Sequence, residues 1–213
     1  MKHITFYFDF ISPYAYLAFE KLPEALAGLS YEVSYKPVLF AAFLKQNGQL
    51  GPAEIPGKRA WTYRQVLWQA RTHAVPMDLP ASHPFNPLAL LRLAVACDAQ
   101  GTPNRHVCET VFRHVWRGGA EAADPARLQA LTDALASQCV LDADTAKAQL
   151  QAHTDEAIAG QVFGVPSFVV DGQTLWGFDA LPMLRAAVAG DPWLGGAAWQ
   201  AAAELPVGIR RNK

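Results

Sequence analysis

The stretch FDFISPYAY, residues 8–16, marks the point where a hydrophobic strand runs into a helix. Side chains of residues 3–10 alternate between two faces, and both faces carry bulky groups, which is typical of a central strand. Ser12 offers an oxygen that can cap a helix, and Pro13 suits the first helical position, where a missing N–H costs nothing. The junction therefore predicts a strand followed at once by a helix that runs toward Leu26.

The segment YEVSYKP, residues 31–37, predicts a second strand, because it alternates cleanly and ends at a proline. Strand, helix and strand form a βαβ unit with two parallel strands. From residue 39 to about residue 159 the pattern turns helical, with apolar residues at helical spacing. Helix caps are expected at Asn86, Thr102, Asp124, Asp144 and Thr154.

Residues 167–178, SFVVDGQTLWGF, contain two short β runs around Asp171-Gly172, a dipeptide typical of a type I′ hairpin. Asp179 is then positioned to cap a last helix through Val188. The order is βαβ, a long helical block and ββα, so we expect a mixed α/β fold.

Composition limits the kind of partner. The 213 residues, 51% of them hydrophobic, can bury the core of one large domain or of a domain with an inserted subdomain. With 18 basic and 19 acidic residues, the chain offers no electrostatic attraction to nucleic acid or to an anionic membrane. No run reaches the roughly 18 apolar residues of a membrane helix, and the amino terminus lacks the features of a secretory signal. We therefore expect a cytoplasmic protein with a small-molecule partner.

The cysteines and histidines predict no disulfide framework and no metal site. Cys97, Cys108 and Cys139 form no CxxC pair and are expected to be buried, inert thiols. The histidines lack metal-ligand spacing, and neither HExxH nor CxxC…CxxC occurs. The sequence also lacks GxGxxG and GxxxxGK[ST], so a nucleotide cofactor is not expected.

Five segments carry a resemblance to a known family. They are, in order, FYFDFISPYAYLA, GPAEIPGKR, HPFNPLALLRLA, VFGVPSF and LWGFDAL. Together they resemble the 2-hydroxychromene-2-carboxylate isomerases, relatives of the kappa-class glutathione transferases, over nearly the whole chain. The resemblance implies an α/β, thioredoxin-like fold with a large all-helical insertion, as in the DsbA-like oxidoreductases. Residues 1–38 and 160–213 would form the discontinuous thioredoxin-like domain, and residues 39–159 the inserted helical domain.

Ser12 stands where the DsbA-like oxidoreductases have the first cysteine of CxxC. A helix amino terminus has unpaired N–H groups and about half a positive charge, which favour an anion. If the thiol belongs to glutathione, the Ser12 hydroxyl can donate to its thiolate, and serine cannot form a mixed disulfide with the cofactor. The resemblance thus implies a catalytic, glutathione-binding Ser12. From the residues alone, Ser12 can equally be a helix cap, and the two roles can coexist.

The resemblance implies further glutathione contacts near the carboxyl-terminal strands. Val165, ahead of a Pro166 that is expected to be cis, would bind the cysteinyl backbone. The γ-glutamyl end would be bound by Trp176, Gly177, Phe178 and Asp179. Phe178 replaces a small polar residue of the family, so only its backbone can donate. The alternatives are a trans proline at a strand start and an Asp179 that only caps a helix.

Four other residues are implied near glutathione or the substrate. Lys58 matches a family lysine near the glycine end of glutathione, where a cation would pair with a carboxylate, and Gln49 stands where relatives often have asparagine. Both can instead be solvated surface residues. Asn86 is implied near the substrate but can simply cap a helix, and Lys36 is a candidate partner of a substrate carboxylate. His83 is expected to be structural.

The resemblance implies a glutathione-dependent isomerase that interconverts 2-hydroxychromene-2-carboxylate and trans-o-hydroxybenzylidenepyruvate in aromatic hydrocarbon catabolism. The thiolate would add to the conjugated substrate, allow rotation and be expelled, so glutathione would be recycled. A kappa-like glutathione transferase, which consumes glutathione, and a non-catalytic glutathione- or peptide-binding module remain open. A dithiol oxidoreductase is disfavoured, because the turn has no cysteine. By analogy with its relatives, the protein is expected to be a homodimer.

Overall fold

The computed structural model describes residues 1–209. In this part of the chain a four-stranded sheet has the order β2-β1-β3-β4. The strands are β1 (Lys2–Phe8), β2 (Tyr31–Pro37), β3 (Ser167–Val170) and β4 (Gln173–Trp176). β1 and β2 are parallel, β3 is antiparallel to β1, and β4 is antiparallel to β3. These directions are those of the predicted βαβ and ββα halves, so the predicted α/β class is confirmed.

Most of the other described residues lie in helices. α1 (Pro13–Ala25) connects β1 to β2. The segment between β2 and β3 holds α2 (Phe40–Asn47), α3 (Pro56–Thr72), α4 (Leu88–Ala96), α5 (Arg105–Trp116), α6 (Pro125–Leu135) and α7 (Ala143–Ala159), which we call the helical block. After β4 come α8 (Leu181–Ala189) and α9 (Ala197–Ala203). The helix predicted to run through Val188 is α8, and its predicted end is confirmed, but it is not the last helix, because α9 follows it.

One face of β1 carries the aromatic core. Phe8 and Phe10 have no exposed surface, and the ring of Phe112 from α5 lies 5.3 Å and 4.8 Å from theirs. Phe19 of α1 lies 5.0 Å from the same Phe112 ring. The indole N–H of Trp116, at the end of α5, donates to the Phe10 carbonyl at 2.9 Å. The helical block and the sheet therefore share one core, and its contacts continue to the residue just before the β1–α1 turn.

The other face of β1 contacts α7 through a polar cluster. The Tyr7 hydroxyl donates to Glu156 of α7 at 2.8 Å, and Lys36 of β2 forms an ion pair with Glu156 at 2.7 Å. Burial raises the pKa of Tyr7, and the hydrogen bond to Glu156 adds to that increase. Helices thus cover both faces of the sheet, by apolar packing on one side and partly by charge on the other.

The sequence predictions are most accurate for turns and helix caps, which depend on residues close together in the chain. Asp171 and Gly172 have φ values of 50° and 76°, as the predicted type I′ hairpin requires. Asp124 caps α6 as predicted. The caps of α5 and α7 lie two residues from the predicted ones, at Asn104 and Asp142. Among the described residues, every helix is too short or too polar to cross a membrane.

Candidate active site at the start of the first helix

Ser12 caps α1. Its backbone is extended, with φ −87° and ψ 114°, and its Oγ accepts a hydrogen bond from the Ala15 N–H at 3.2 Å. The cap uses the oxygen as an acceptor, so the hydroxyl hydrogen can still be donated to a ligand. Ser12 is 7% exposed, which leaves the hydroxyl little contact with water. The cap role, one of the two alternatives for Ser12, is confirmed, and it leaves a donor available.

Asp9 holds the turn that leads to Ser12. Its carboxylate is wholly buried and accepts from the Ile11 N–H at 3.1 Å and from the Phe40 N–H, at the first residue of α2, at 3.0 Å. The Ser12 N–H donates to the Asp9 carbonyl at 3.0 Å. Burial raises the pKa of Asp9 to about 7, although the two backbone donors favour the charged form. Asp9 thus ties the turn to the helical block.

His83 supports the same turn from the other side. Its Nε2 lies 2.8 Å from the Ile11 carbonyl, which can only accept, so Nε2 carries the hydrogen. Its Nδ1 lies 2.9 Å from the hydroxyl of Tyr63 on α3. Burial lowers the pKa of His83, which favours the neutral ring. The expectation that His83 is structural is confirmed.

The segment before β3 lies beside this turn. Tyr7 pairs with Ser167 in the β1–β3 ladder, so Val165 and Pro166 continue past the end of β1 next to Asp9. The Val165–Pro166 peptide is cis, as expected. The Pro166 carbonyl accepts from the N–H of Gly177 at 2.9 Å. The two predicted segments around Val165 and Gly177 are therefore neighbours at the edge of the sheet where β1 ends.

Gly177 and Asp179 are in close contact. Gly177 has φ 105°, a conformation that favours glycine, and a Cβ there would lie 2.4 Å from the Asp179 Oδ1. Asp179 lies in the short 3₁₀ turn Phe178–Ala180, and α8 begins after Ala180 without a side-chain cap. The expected cap role of Asp179 is therefore wrong. Its carboxylate lies exposed beside the glycine instead.

The two aromatic neighbours of Gly177 differ in exposure. Trp176 is 55% exposed, and its ring centre lies 5.2 Å from that of Phe163. Phe178 is 7% exposed and meets the ring of His73, the residue after α3, edge to face at 5.0 Å. Phe178 thus provides packing against the end of α3 and no side-chain donor.

Tyr14, which the sequence analysis did not single out, links these segments. Its hydroxyl donates to Gln65 of α3 at 2.6 Å. Burial raises the pKa of Tyr14, and the Asp179 carboxylate adds to the effect. The 3₁₀ turn Phe178–Ala180, which holds Asp179, packs against α1. Among residues 1–209, nothing accepts from the Tyr14 N–H, which is one of the free donors at the helix start.

Lys58 and Gln49 lie on the surface. Lys58 is in the first turn of α3, seven residues ahead of Gln65 and therefore on the same face, about 10 Å further along the helix. Gln49 follows α2, and its N–H donates to the Leu44 carbonyl at 2.9 Å. Within the described chain, neither side chain has a protein hydrogen-bond partner. Both can therefore bind a ligand or remain solvated.

Asn86 and Lys36 have protein partners. The Asn86 Oδ1 accepts from the Leu88 N–H at 3.0 Å just before α4, but Pro87 occupies the cap position without a side-chain cap bond, so the cap predicted at Asn86 is wrong by one residue. Lys36 is paired with Glu156 on the face covered by α7. The structure describes no contact between either side chain and Ser12.

Two cavities lie elsewhere in the molecule. One of about 520 Å³ is bounded by α4, α7 and Leu39, with Arg92 and Lys147 in its wall. The other, of about 210 Å³, lies between the β3–β4 hairpin and α8. Neither is lined by Ser12, so the candidate site rests on hydrogen-bonding groups at the sheet edge rather than on either cavity.

Known proteins resemble this chain in sequence and in fold. A family model described as a DSBA-like thioredoxin domain matches residues 3–189. The chain belongs to this family. It is 29% identical over 193 residues to 2-hydroxychromene-2-carboxylate isomerase of Pseudomonas putida, covering 87% of this chain and 93% of the relative. The predicted family resemblance and the thioredoxin-like fold are confirmed.

Two further relatives are similar over most of their length. Glutathione s-transferase kappa 2 of Caenorhabditis elegans is 27% identical over 205 residues, covering 86% of this chain and 90% of the relative. A solved structure of a selenomethionine 2-hydroxychromene-2-carboxylate isomerase has a TM-score of 0.69 at 23% identity, covering 96% of this chain and all of the other. At that identity, the structural likeness supports the fold alone.

The turn of this chain combines a serine at position 12, where the resemblance to the DsbA-like oxidoreductases implied a cysteine, with a wholly buried Asp9. Ser12 was predicted from the sequence, whereas the roles of Asp9 and Tyr14 were not. One signal for Asp9 was available: it is the single charged residue in the apolar run at residues 4–11. A charge in such a run is rarely fully buried unless it is hydrogen-bonded.

Proposed function

We propose that this chain is a glutathione-dependent isomerase that interconverts 2-hydroxychromene-2-carboxylate and trans-o-hydroxybenzylidenepyruvate. The observation that carries the proposal is a serine hydroxyl with an uncommitted hydrogen at the start of α1. The relatives named as isomerases and as kappa glutathione transferases support both the reaction and the cofactor. Both groups of relatives are named as enzymes.

The spacing of the three segments suits a tripeptide. The Ser12 turn follows β1, Val165 precedes the antiparallel β3, and Gly177 follows β4, so the three lie in order along one edge of the sheet. Two steps between neighbouring strands span about 10 Å, and three extended residues span about 10 Å. Glutathione therefore fits with its cysteinyl part beside Ser12 and Val165, and its γ-glutamyl part beside Gly177 and Asp179.

Each of these residues binds one part of glutathione in this arrangement. Ser12 donates its hydroxyl hydrogen to the sulfur, and the free Tyr14 N–H adds the positive end of α1. Val165 offers backbone groups to the cysteinyl amide, and the exposed Asp179 carboxylate accepts from the γ-glutamyl ammonium. Lys58 and Gln49 are the proposed partners of the glycine carboxylate. When bound, glutathione supplies a thiolate that adds to the conjugated substrate and leaves after bond rotation.

Ser12 acts as a donor rather than as a covalent nucleophile. A serine nucleophile needs a neighbouring base, and the one histidine at this turn, His83, donates its Nε2 hydrogen to the Ile11 carbonyl. Its other ring nitrogen faces Tyr63. The bound thiol therefore provides the nucleophile, and Ser12 lowers the free energy of its anion.

The test is an ultraviolet assay of the chromene carboxylate, run with and without glutathione, on wild type and on Ser12→Ala. We expect turnover only with glutathione, and a fall of roughly 100-fold or more in kcat for Ser12→Ala with a much smaller change in glutathione affinity, as for loss of one preorganised donor. Asn104→Ala is the matched control, because it removes the cap of α5 and leaves the site intact. Turnover without glutathione, or full kcat in Ser12→Ala, would refute the proposal.

The same assay distinguishes an isomerase from the second candidate function, a glutathione transferase. A kappa-like glutathione transferase is supported by the kappa relatives and would consume glutathione during turnover. An isomerase leaves the concentration of glutathione unchanged. The predicted homodimer and cytoplasmic location, and a place in aromatic catabolism, stay predictions beside this proposal.

A further inference from the structure

Two cysteines of the helical block lie in direct contact. The Sγ atoms of Cys97, at the end of α4, and Cys139, just after the turn that follows α6, are 3.1 Å apart. Cys97 also directs its hydrogen to the Leu93 carbonyl at 3.2 Å. The Cys139 thiol is therefore the donor between the two sulfurs. A separation of 42 residues hid this pair from the search for CxxC motifs.

The backbone already holds the two cysteines together. The N–H groups of Val140 and Leu141 donate to the Ala96 carbonyl at 2.8 Å and 3.1 Å. The residues next to each cysteine are thus joined by hydrogen bonds. A disulfide has an S–S distance of about 2.05 Å, so closing the bond requires a shift of about 1 Å, which side-chain rotation can supply.

We propose that Cys97 and Cys139 form a modification site, a reversible disulfide made by exchange with glutathione disulfide. The Cys139 thiolate attacks one sulfur of glutathione disulfide, the S–S bond breaks, and one glutathione thiolate leaves. The Cys97 thiolate then attacks the Cys139 sulfur and expels the second glutathione thiolate. The two protein thiols lose two electrons and two protons, and one glutathione disulfide becomes two molecules of glutathione.

The burial of the two thiols indicates that Cys139 attacks glutathione disulfide first and Cys97 attacks second. Cys97 is 7% exposed, whereas Cys139 is only partly buried and can reach a dissolved disulfide. Burial and the Cys139 thiol raise the pKa of Cys97 to about 12, so its thiolate is scarce at neutral pH. We therefore expect closure to be slow at pH 7 and to accelerate about tenfold per pH unit above it.

Cys108 is an internal control. It is wholly buried, burial raises its pKa, and its Sγ contacts the Pro103 carbonyl at 3.8 Å. It lies inside the segment that the disulfide would close, residues 97–139, together with α5 and α6. Closing a segment of this length restricts the unfolded chain, so the oxidised protein should melt about 10 °C higher.

The experiment treats the purified full chain with glutathione disulfide at mildly alkaline pH, then counts thiols after denaturation and maps the peptides by mass spectrometry. We expect the count to fall from three thiols to one, a Cys97–Cys139 link that has lost two hydrogens, and recovery of three thiols with dithiothreitol. Cys97→Ser should stop at one glutathionyl group on Cys139. Cys108→Ala should still form the link.

Three results would overturn the proposal. Wild type could keep three free thiols, it could stop at the mixed disulfide on Cys139, or the link could involve Cys108. Each is read from the thiol count and the peptide map alone. The outcome is therefore independent of the Ser12 assay, since neither cysteine contributes to the proposed glutathione site.

Discussion

The surroundings of two carboxylates beside β1 shift their pKa values in opposite directions. Asp9 is wholly buried, has backbone N–H groups as partners, and has its pKa raised to about 7. Glu156 is partly exposed, and although burial opposes it, hydrogen bonds from Lys36 and Tyr7 keep its pKa below the usual value. Desolvation dominates where no cation is present, and pairing dominates where one is. The two groups should therefore make opposite contributions to stability as pH changes.

The largest effect is expected from removing Asp9. Asp9→Ala leaves the Ile11 and Phe40 N–H groups without their acceptor, and unsatisfied buried donors cost about 1–3 kcal/mol each. We expect a loss of about 2–5 kcal/mol in urea unfolding at pH 7, with weaker glutathione binding because the Ser12 turn loosens. The control is Asp133→Ala on the exposed side of α6, expected within about 0.5 kcal/mol. Equal losses in the two variants would contradict the assigned role.

The pH dependence of Asp9 is the next largest effect. Because its pKa is higher in the folded than in the unfolded chain, its stabilising contribution is full below about pH 4 and is lost as pH rises through about 7. The advantage of wild type over Asp9→Asn in unfolding free energy should shrink by a few kcal/mol across this window. Urea titrations at several pH values measure it. An advantage that grows with pH would show that Asp9 is charged in the folded protein.

Glu156 should show the reverse dependence and a smaller effect. Its lowered pKa stabilises the protein above about pH 4.5, and that contribution is lost as pH falls through the folded-state value. The Glu156 side chain is 51% exposed, so Glu156→Gln should cost about 1 kcal/mol or less at pH 7 and nothing at low pH. Glu24→Gln, in a surface pair with Lys21, is the control. A uniform cost at all pH values would rule out the charge as its cause.

The smallest effect is expected from Lys36→Met. The variant keeps the Tyr7 hydrogen bond to Glu156 but removes the ion pair, so stability should fall by about 0.5 kcal/mol. The measurement is the titration of the Glu156 carboxyl by NMR, whose midpoint should move up toward the usual value. If the midpoint does not move, Tyr7 rather than Lys36 holds the charge.

The fold was predictable where neighbours in sequence decide the structure. Alternation at residues 3–10, the Ser12-Pro13 junction and Asp171-Gly172 each describe a few adjacent residues, and the elements form as expected. Thr154 illustrates the limit. It was expected to begin a helix, yet it lies inside α7, where its hydroxyl donates to the Leu150 carbonyl. A threonine bonded in this way cannot be told from a cap by sequence alone.

The candidate site was predictable only in part, because its segments are far apart in the chain. The resemblance supplied Ser12, Val165 and Gly177, and the sheet order brings the three together. The support from Asp9 and His83 depends on contacts between the sheet and the helical block. No local pattern encodes such contacts, so the sequence indicated the residues proposed to meet a ligand and not those that position them.

The pairing of β1 with β3 has a consequence for folding during synthesis. Thr5 pairs with Val169, while the same strand pairs with Tyr31 and its neighbours much earlier in the chain. At about 5–20 residues per second, the ribosome makes the first βαβ unit roughly 6 to 26 seconds before β3. Until then one edge of the nascent central strand is uncovered, and such an edge can pair with another chain. A holding chaperone would act in this interval.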